Sequence, residues 1–125
     1  MRVFVHQFCQ DMPGDSEKLN LQMQLVINEI FCNIVKHGYN NFPKGEIIIT
    51  SRTTPHGIYL TFSDKGTVFN PMEINFPNLT GHKESGFGFC IIQELIDQIS
   101  YTPKTLSDEW NQFRIFKLFF QEKIV

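Results

Sequence analysis

Residues 22–39, QMQLVINEIFCNIVKHGY, constrain this chain more than any other stretch. Met23, Ile27, Ile30, Phe31 and Ile34 recur at helical spacing and define one apolar arc, which predicts an amphipathic helix laid against a core. Glu29 and Asn33 stand four residues apart on another face, with Lys36 and His37 one turn further on. A carboxylate and an amide stacked one turn apart can act on the same small target. Gly38 is expected to end the helix, as a glycine just past the last periodic residue usually does. Taken alone, a Glu and an Asn on the polar side of a helix are usually its solvated face, so their meaning depends on the motifs that accompany them.

Beyond this helix the chain is mostly strand. Residues 46–52 (EIIITSR) are rich in β-branched side chains, residues 54–57 (TPHG) read as a turn, and residues 58–63 (IYLTFS) alternate as the antiparallel partner. Asp64 then falls at a strand end with Gly66 two residues later, a spacing that by itself more often means a turn than a ligand site. Residues 67–84, with Pro71, Pro77, Asn78 and Gly81, form an irregular loop of the length that is usually functional or mobile. Residues 85–88 (SGFG) lead into a second amphipathic helix over residues 89–99, carried by Ile91, Ile92, Leu95, Ile96 and Ile99. Tyr101 begins a short strand, residues 103–109 turn, and residues 112–120 (QFRIFKLFF) close the sheet. At the front, Val3, Phe4, Phe8 and Cys9 suggest a helical stripe over residues 2–10, broken by Pro13-Gly14 before Asp15 or Ser16 caps the main helix. The expected architecture is an α+β two-layer sandwich, with helices on one face of a mixed, mostly antiparallel sheet, in one domain spanning residues 1–125.

Charge and cysteine usage narrow the function. A net charge of −2 without a Lys/Arg cluster argues against a nucleic-acid groove. The sequence holds no apolar run of membrane-spanning length and no signal-peptide pattern at Met1, so a cytoplasmic protein with no membrane partner is expected. Cys9, Cys32 and Cys90 are odd in number, far apart and set among apolar residues, which reads as reduced core thiols. The four histidines show no ligand spacing with them, so a zinc site is not expected.

The order Glu29-x-x-x-Asn33, then Asp64-x-Gly66, then Gly86-x-Gly88 opening a helix resembles the GHKL ATPases of gyrase, heat-shock chaperone, histidine kinase and mismatch-repair type. Within that superfamily, HGYNN at residues 37–41, DKGTVFNP at residues 64–71 and SGFGFCII at residues 85–92 look like the anti-sigma factor serine kinases of bacterial stress response and sporulation. The likeness covers residues 2–120, nearly the whole chain. It implies a histidine-kinase-like ATPase fold binding ATP or ADP with Mg²⁺. In that family the residue matching Asn33 holds the magnesium ion, and the one matching Glu29 is the general base. Asp64 would accept the adenine amino proton, and Gly66 would let backbone approach the base. Ser85, Gly86, Phe87 and Gly88 would turn backbone N–H groups toward phosphate, with Lys83 and His82 lending charge from a closing lid over residues 67–84.

The chain departs from the pattern in four places. The family begins with a strand before the first helix, whereas here Met1 is expected to fall at a helix, leaving that strand missing. Val68 stands at a common second-glycine position, Ser85 replaces a glycine, and Asn111-Gln112 replaces a Gly-Thr before the last strand. The resemblance implies an enzyme that phosphorylates a serine on a small anti-anti-sigma antagonist and holds a sigma factor inactive, as a homodimer. A non-catalytic, ATP-binding partner-switch module is the alternative. A free-standing histidine-kinase-type ATPase is a third reading, disfavoured because HGYNN is not that family's pattern and no phosphoacceptor segment precedes the domain.

Overall fold

The structure, a computed structural model, describes residues 2–5, 16–42, 44–70 and 87–119. Helix α1 runs Ser16–Asn33, and its inward stripe is Leu19, Met23, Val26, Ile30 and Ile34, all buried. Ile27 and Phe31 are half-buried on the flanks, so the arc is turned slightly from the one the spacing predicts. The helix then widens into a π-helical turn, Ile34–Gly38, in which the Tyr39 N–H reaches back five residues to the Ile34 carbonyl at 3.0 Å. Gly38 therefore belongs to the turn and does not cap it. The left-handed backbone falls on Asn40 (φ 51°) and Asn41 (φ 61°), a residue type that tolerates it.

Among the described residues, five strands take the spatial order β1-β2-β3-β5-β4. They are β1 (Arg2–Val5), β2 (Glu46–Thr53), β3 (Gly57–Asp64), β4 (Gln98–Thr102) and β5 (Asn111–Leu118). Only the β1–β2 pair is parallel, so the sheet is mixed and mostly antiparallel, as expected. Alternation sends Ile47 and Ile49 of β2, Ile58, Leu60 and Phe62 of β3, and Phe113 and Ile115 of β5 into the core. There they join the α1 stripe and Ile92 and Ile96, from and just beyond helix α2 (Phe87–Leu95). Each such side chain contributes about 1.5–3 kcal/mol by burial. Phe62, fully buried and tilted against Phe113 at 6.4 Å, is the largest of the fully buried side chains among the described residues. Replacing it with alanine would cost about 3–5 kcal/mol.

Three expectations are corrected. Residues 2–5 are strand, paired in parallel with β2 from Arg2 opposite Glu46, so the first strand is present; residues 6–10 lie outside the described residues. The second helix begins at Phe87 and stops at Leu95. Ile99 belongs to β4, opposite Ile115, because alternation over residues 98–102 lets Ile99 and Tyr101 pack inward while the Asp97 N–H bonds the Phe116 carbonyl. Cys32 and Cys90 are free thiols as expected, but they are half-buried and not in the core; Cys32 sits on the flank of α1, its Sγ 4.0 Å from Asn28 Oδ1. Cys9 lies outside the described residues.

Candidate functional site

Two chain reversals are locked together at the end of β3. The Lys65 N–H donates to the Tyr39 hydroxyl at 2.8 Å, the Gly66 N–H to Asp64 Oδ1 at 2.9 Å, and the Thr67 N–H to the Gly38 carbonyl at 2.7 Å. The Tyr39 hydroxyl in turn donates to the Glu46 carbonyl. Three successive amides are thus fixed by the π-turn and by the strand's own terminal carboxylate. The approach is so close that a Cβ on Gly66 would lie 2.4 Å from the Gly38 carbonyl oxygen. Glycine at residue 66 is therefore required by backbone-on-backbone packing with the helix end.

Asp64, 2% exposed, is an ionisable group lining a mostly apolar slot. The slot's walls are Ile30, Asn33 and Ile34 of the helix and its turn, Phe69, Ile92, Tyr101 and Phe113. A carboxylate and an amide set in such walls can offer a few directional hydrogen bonds among apolar contacts. Burial pushes the Asp64 carboxyl above its ordinary value; the Asn111 side chain, the Gly66 N–H and the Lys104 charge oppose that shift. Asn111, 1% exposed, donates from Nδ2 to Asp64 Oδ1 and to the Gly66 carbonyl, both at 3.0 Å, while its Oδ1 accepts the Lys104 N–H at 2.8 Å.

Tyr101 brackets the other side. Its hydroxyl accepts the Phe69 N–H at 3.3 Å, and its ring lies tilted 6.4 Å from Phe69, which itself meets His37 at 5.5 Å. Burial, above all, raises the Tyr101 phenol; the Phe69 N–H opposes it and the nearby Asp64 charge adds to it. The first residues of the expected lid are therefore tied down at Thr67 and Phe69. Its remainder from residue 71 lies outside the described residues.

The structure thus brings together Asn33, Asp64 and Gly66 of the expected site. Glu29, one turn before Asn33 on α1, is half-buried and is not part of the slot's wall. Lys83, His82, Ser85 and Gly86 lie outside the described residues. Phe87 and Gly88 form the start of α2, two residues earlier than the periodicity predicts, so Gly88 lies in a helical first turn whose N–H groups lack intrahelical partners. Asn111 and Tyr101 are site residues that the motifs do not reveal. The signal for both is phase: running the inward alternation of Phe113 and Ile115 back one step puts Asn111 on the core face, and that of Ile99 forward puts Tyr101 there.

Comparisons with known proteins agree with the fold. The family described as histidine kinase-like ATPase domain matches residues 1–115. An anti-sigma F factor of Bacillus licheniformis is 32% identical over 103 residues, covering 79% of this chain and 70% of that protein. One from Anoxybacillus flavithermus is 30% identical over 107 residues, covering 82% and 73%. Among solved structures, the Erythrobacter litoralis EL346 blue-light activated histidine kinase superposes with a TM-score of 0.62 at 19% identity over 93% of this chain. This chain spans only 34% of that protein's length, so the likeness concerns the fold of one part of it. The chain belongs to the histidine kinase-like ATPase domain family and, within it, groups with the anti-sigma F factors.

Proposed function

We propose that this chain is an ATP-dependent protein-serine kinase that phosphorylates a serine of an anti-anti-sigma antagonist and, as a homodimer, holds a sigma factor inactive in the cytoplasm. The observation that carries the reading is the slot that sets Asn33 of α1 against Asp64 and its locked turn. Among the described residues, both hydrogen bonds to Asp64 end on Oδ1. Oδ2 is then the acceptor for the exocyclic amino group of adenine, and an ionised carboxylate rejects a carbonyl there. The apolar walls hold the faces of the base.

Asn33 offers a neutral oxygen in the same slot. That fits Mg²⁺, which takes few protein ligands and keeps waters and phosphates for the rest; the ion's contribution is to neutralise charge on the phosphates. Ser85, Gly86, Phe87 and Gly88 would direct backbone N–H groups at the phosphates, with Lys83 closing over them. Glu29, one turn from Asn33, would accept the proton of the attacking serine hydroxyl.

A second reading, an ATP-tuned clamp that transfers nothing, is favoured by one observation: Glu29 lies outside the slot's walls. The test is transfer of labelled phosphate from ATP to proteins that co-purify with the chain. Phosphoserine on a small antagonist supports the kinase; ATP binding with no transfer leaves the clamp. Light scattering tests the dimer, where a monomer mass at high concentration would remove that part of the reading.

A further inference from the structure

The face of the sheet turned away from the helices carries a row of side chains that the slot does not use. Strand register sets Arg52 of β2, Tyr59 of β3, Phe116 of β5 and Gln98 of β4 opposite one another in that order. The Tyr59 and Phe116 rings stack at 4.4 Å, and the Arg52 guanidinium lies 4.6 Å from the Tyr59 ring centroid. In the next row on the same face, Thr61, Arg114 and Ser100 are opposed in the same way. Arg114 donates to Thr102 Oγ1 at 3.1 Å and to Gln112 Oε1, both neutral acceptors. A groove of about 420 Å³ opens here, lined by Tyr59, Phe116, Arg114, Gln98 and Ser100. All of these except the half-buried Phe116 are exposed, as is Arg52.

Two features exceed what a solvated sheet face needs. Among the described residues neither guanidinium has a carboxylate within ion-pair distance, although the chain holds 13 acidic residues. Tyrosine and phenylalanine beside arginine are also the composition of binding surfaces, where aromatic anchors and arginines carry most of the affinity. Two strand spacings and one row set the Cα atoms of Arg52 and Arg114 about 12 Å apart.

We infer that this surface docks an acidic segment of a partner protein, with an apolar side chain in the groove beside Phe116 and carboxylates on Arg52 and Arg114. Charge decides the occupant. A second copy meeting this face about a two-fold axis would bring four arginines together with no carboxylate between them. A nucleic-acid strand draws on more cations than two, and the net charge of −2 opposes a polyanion. A short acidic segment suits both the charge and the groove. Tyr59 lies five residues before Asp64 on β3 and on the opposite face of the sheet, so docking here leaves the slot open.

The test follows backbone amide shifts by NMR while the 125-residue chain is titrated with three probes. They are a short peptide with leucine between two glutamates, the same peptide with lysines for the glutamates, and a short oligothymidylate. The glutamate peptide is expected to shift the amides of Arg52, Tyr59, Ser100 and Arg114 and to leave Asp64 and Gly66 unmoved; the lysine peptide should shift none of them. Its affinity should fall about tenfold or more in Tyr59→Ala, and about fivefold or more in the double variant Arg52→Gln/Arg114→Gln. Added salt should weaken it in the wild type and much less in the double variant. The amide spectrum itself shows whether each variant is folded. No shift of these amides at millimolar glutamate peptide, or equal affinity in the folded double variant, overturns the inference. Stronger shifts with oligothymidylate overturn it in favour of a nucleic acid. Shifts at these same amides that grow with protein concentration alone overturn it in favour of a second copy.

Discussion

Asp64→Asn separates the cost of a buried charge from its use. The amide oxygen of the variant can still accept the Gly66 N–H and the Asn111 Nδ2 protons, so the turn locked to the π-helix should survive. The change falls on the other atom, where a carboxylate oxygen becomes an NH₂. Against ATP this removes a charge-assisted hydrogen bond of about 1.5–3 kcal/mol, or about 10–140-fold in affinity. Against inosine triphosphate the new donor meets an acceptor, so that affinity should hold or rise. The unliganded protein should respond in the opposite sense. Burial raises the Asp64 carboxyl, which means that keeping it ionised at neutral pH destabilises the fold, so the neutral variant should melt at a higher temperature. Calorimetry with both triphosphates and a thermal melt at pH 7 are sufficient. Unchanged ATP affinity, or a lower melting temperature with ATP affinity retained, would refute the reasoning.

Glu29→Gln should retain nucleotide affinity and reduce phosphoryl transfer by about 10²–10⁴, read in a transfer assay with labelled ATP. Asn33→Ala should weaken magnesium-dependent ATP binding as well as rate, because that residue lines the slot and Glu29 does not; calorimetry with and without Mg²⁺ shows the contrast. Gly66→Ala should cost about 1–3 kcal/mol in chemical denaturation, since its Cβ would lie 2.4 Å from the Gly38 carbonyl and the locked amides must shift. With pH, the Asp64 contribution to stability is fully present below 3.8, the ordinary carboxyl value, and is lost as pH rises through the elevated folded value. ATP affinity should rise over that same window as the carboxylate forms, and Asp64→Asn should show neither change in denaturation or binding series.

Elements with a single consistent period are the ones a reader of the sequence finds. The α1 stripe and the β2–β3 hairpin stand out because their apolar positions repeat at helical or alternate spacing over seven or more residues, and Asp64 follows as the strand's last residue. Residues 2–5 are too few to carry a period. Val3, Phe4 and Phe8 fit a helix as well as a strand, and the strand is decided by its non-local parallel pairing with β2. Ile99 misleads for a related reason, since it continues the spacing of Ile92, Leu95 and Ile96 although the chain has already left the helix. At the site, Asn33, Asp64 and Gly66 are legible through motif spacing. Asn111 looks like a departure from the Gly-Thr pattern, and its burial beside Asp64 depends on the β3–β5 register that opposes those two residues.

The π-turn at Ile34–Gly38 acts as a gear between the two ends of the slot. Asn33 lies before the turn, whereas the loop after Asp64 is held by the carbonyl of Gly38, the turn's last residue, and by the hydroxyl of Tyr39 just beyond it. One residue of helix corresponds to about 100° of rotation. Deleting a single residue between Val35 and His37 would therefore swing Tyr39 away from Lys65 and Glu46 while leaving Asn33 in place. The Asn33 end and the Asp64 end of the slot can in this way be re-phased by one-residue insertions or deletions, and the hinge between them is a length of chain instead of a side chain.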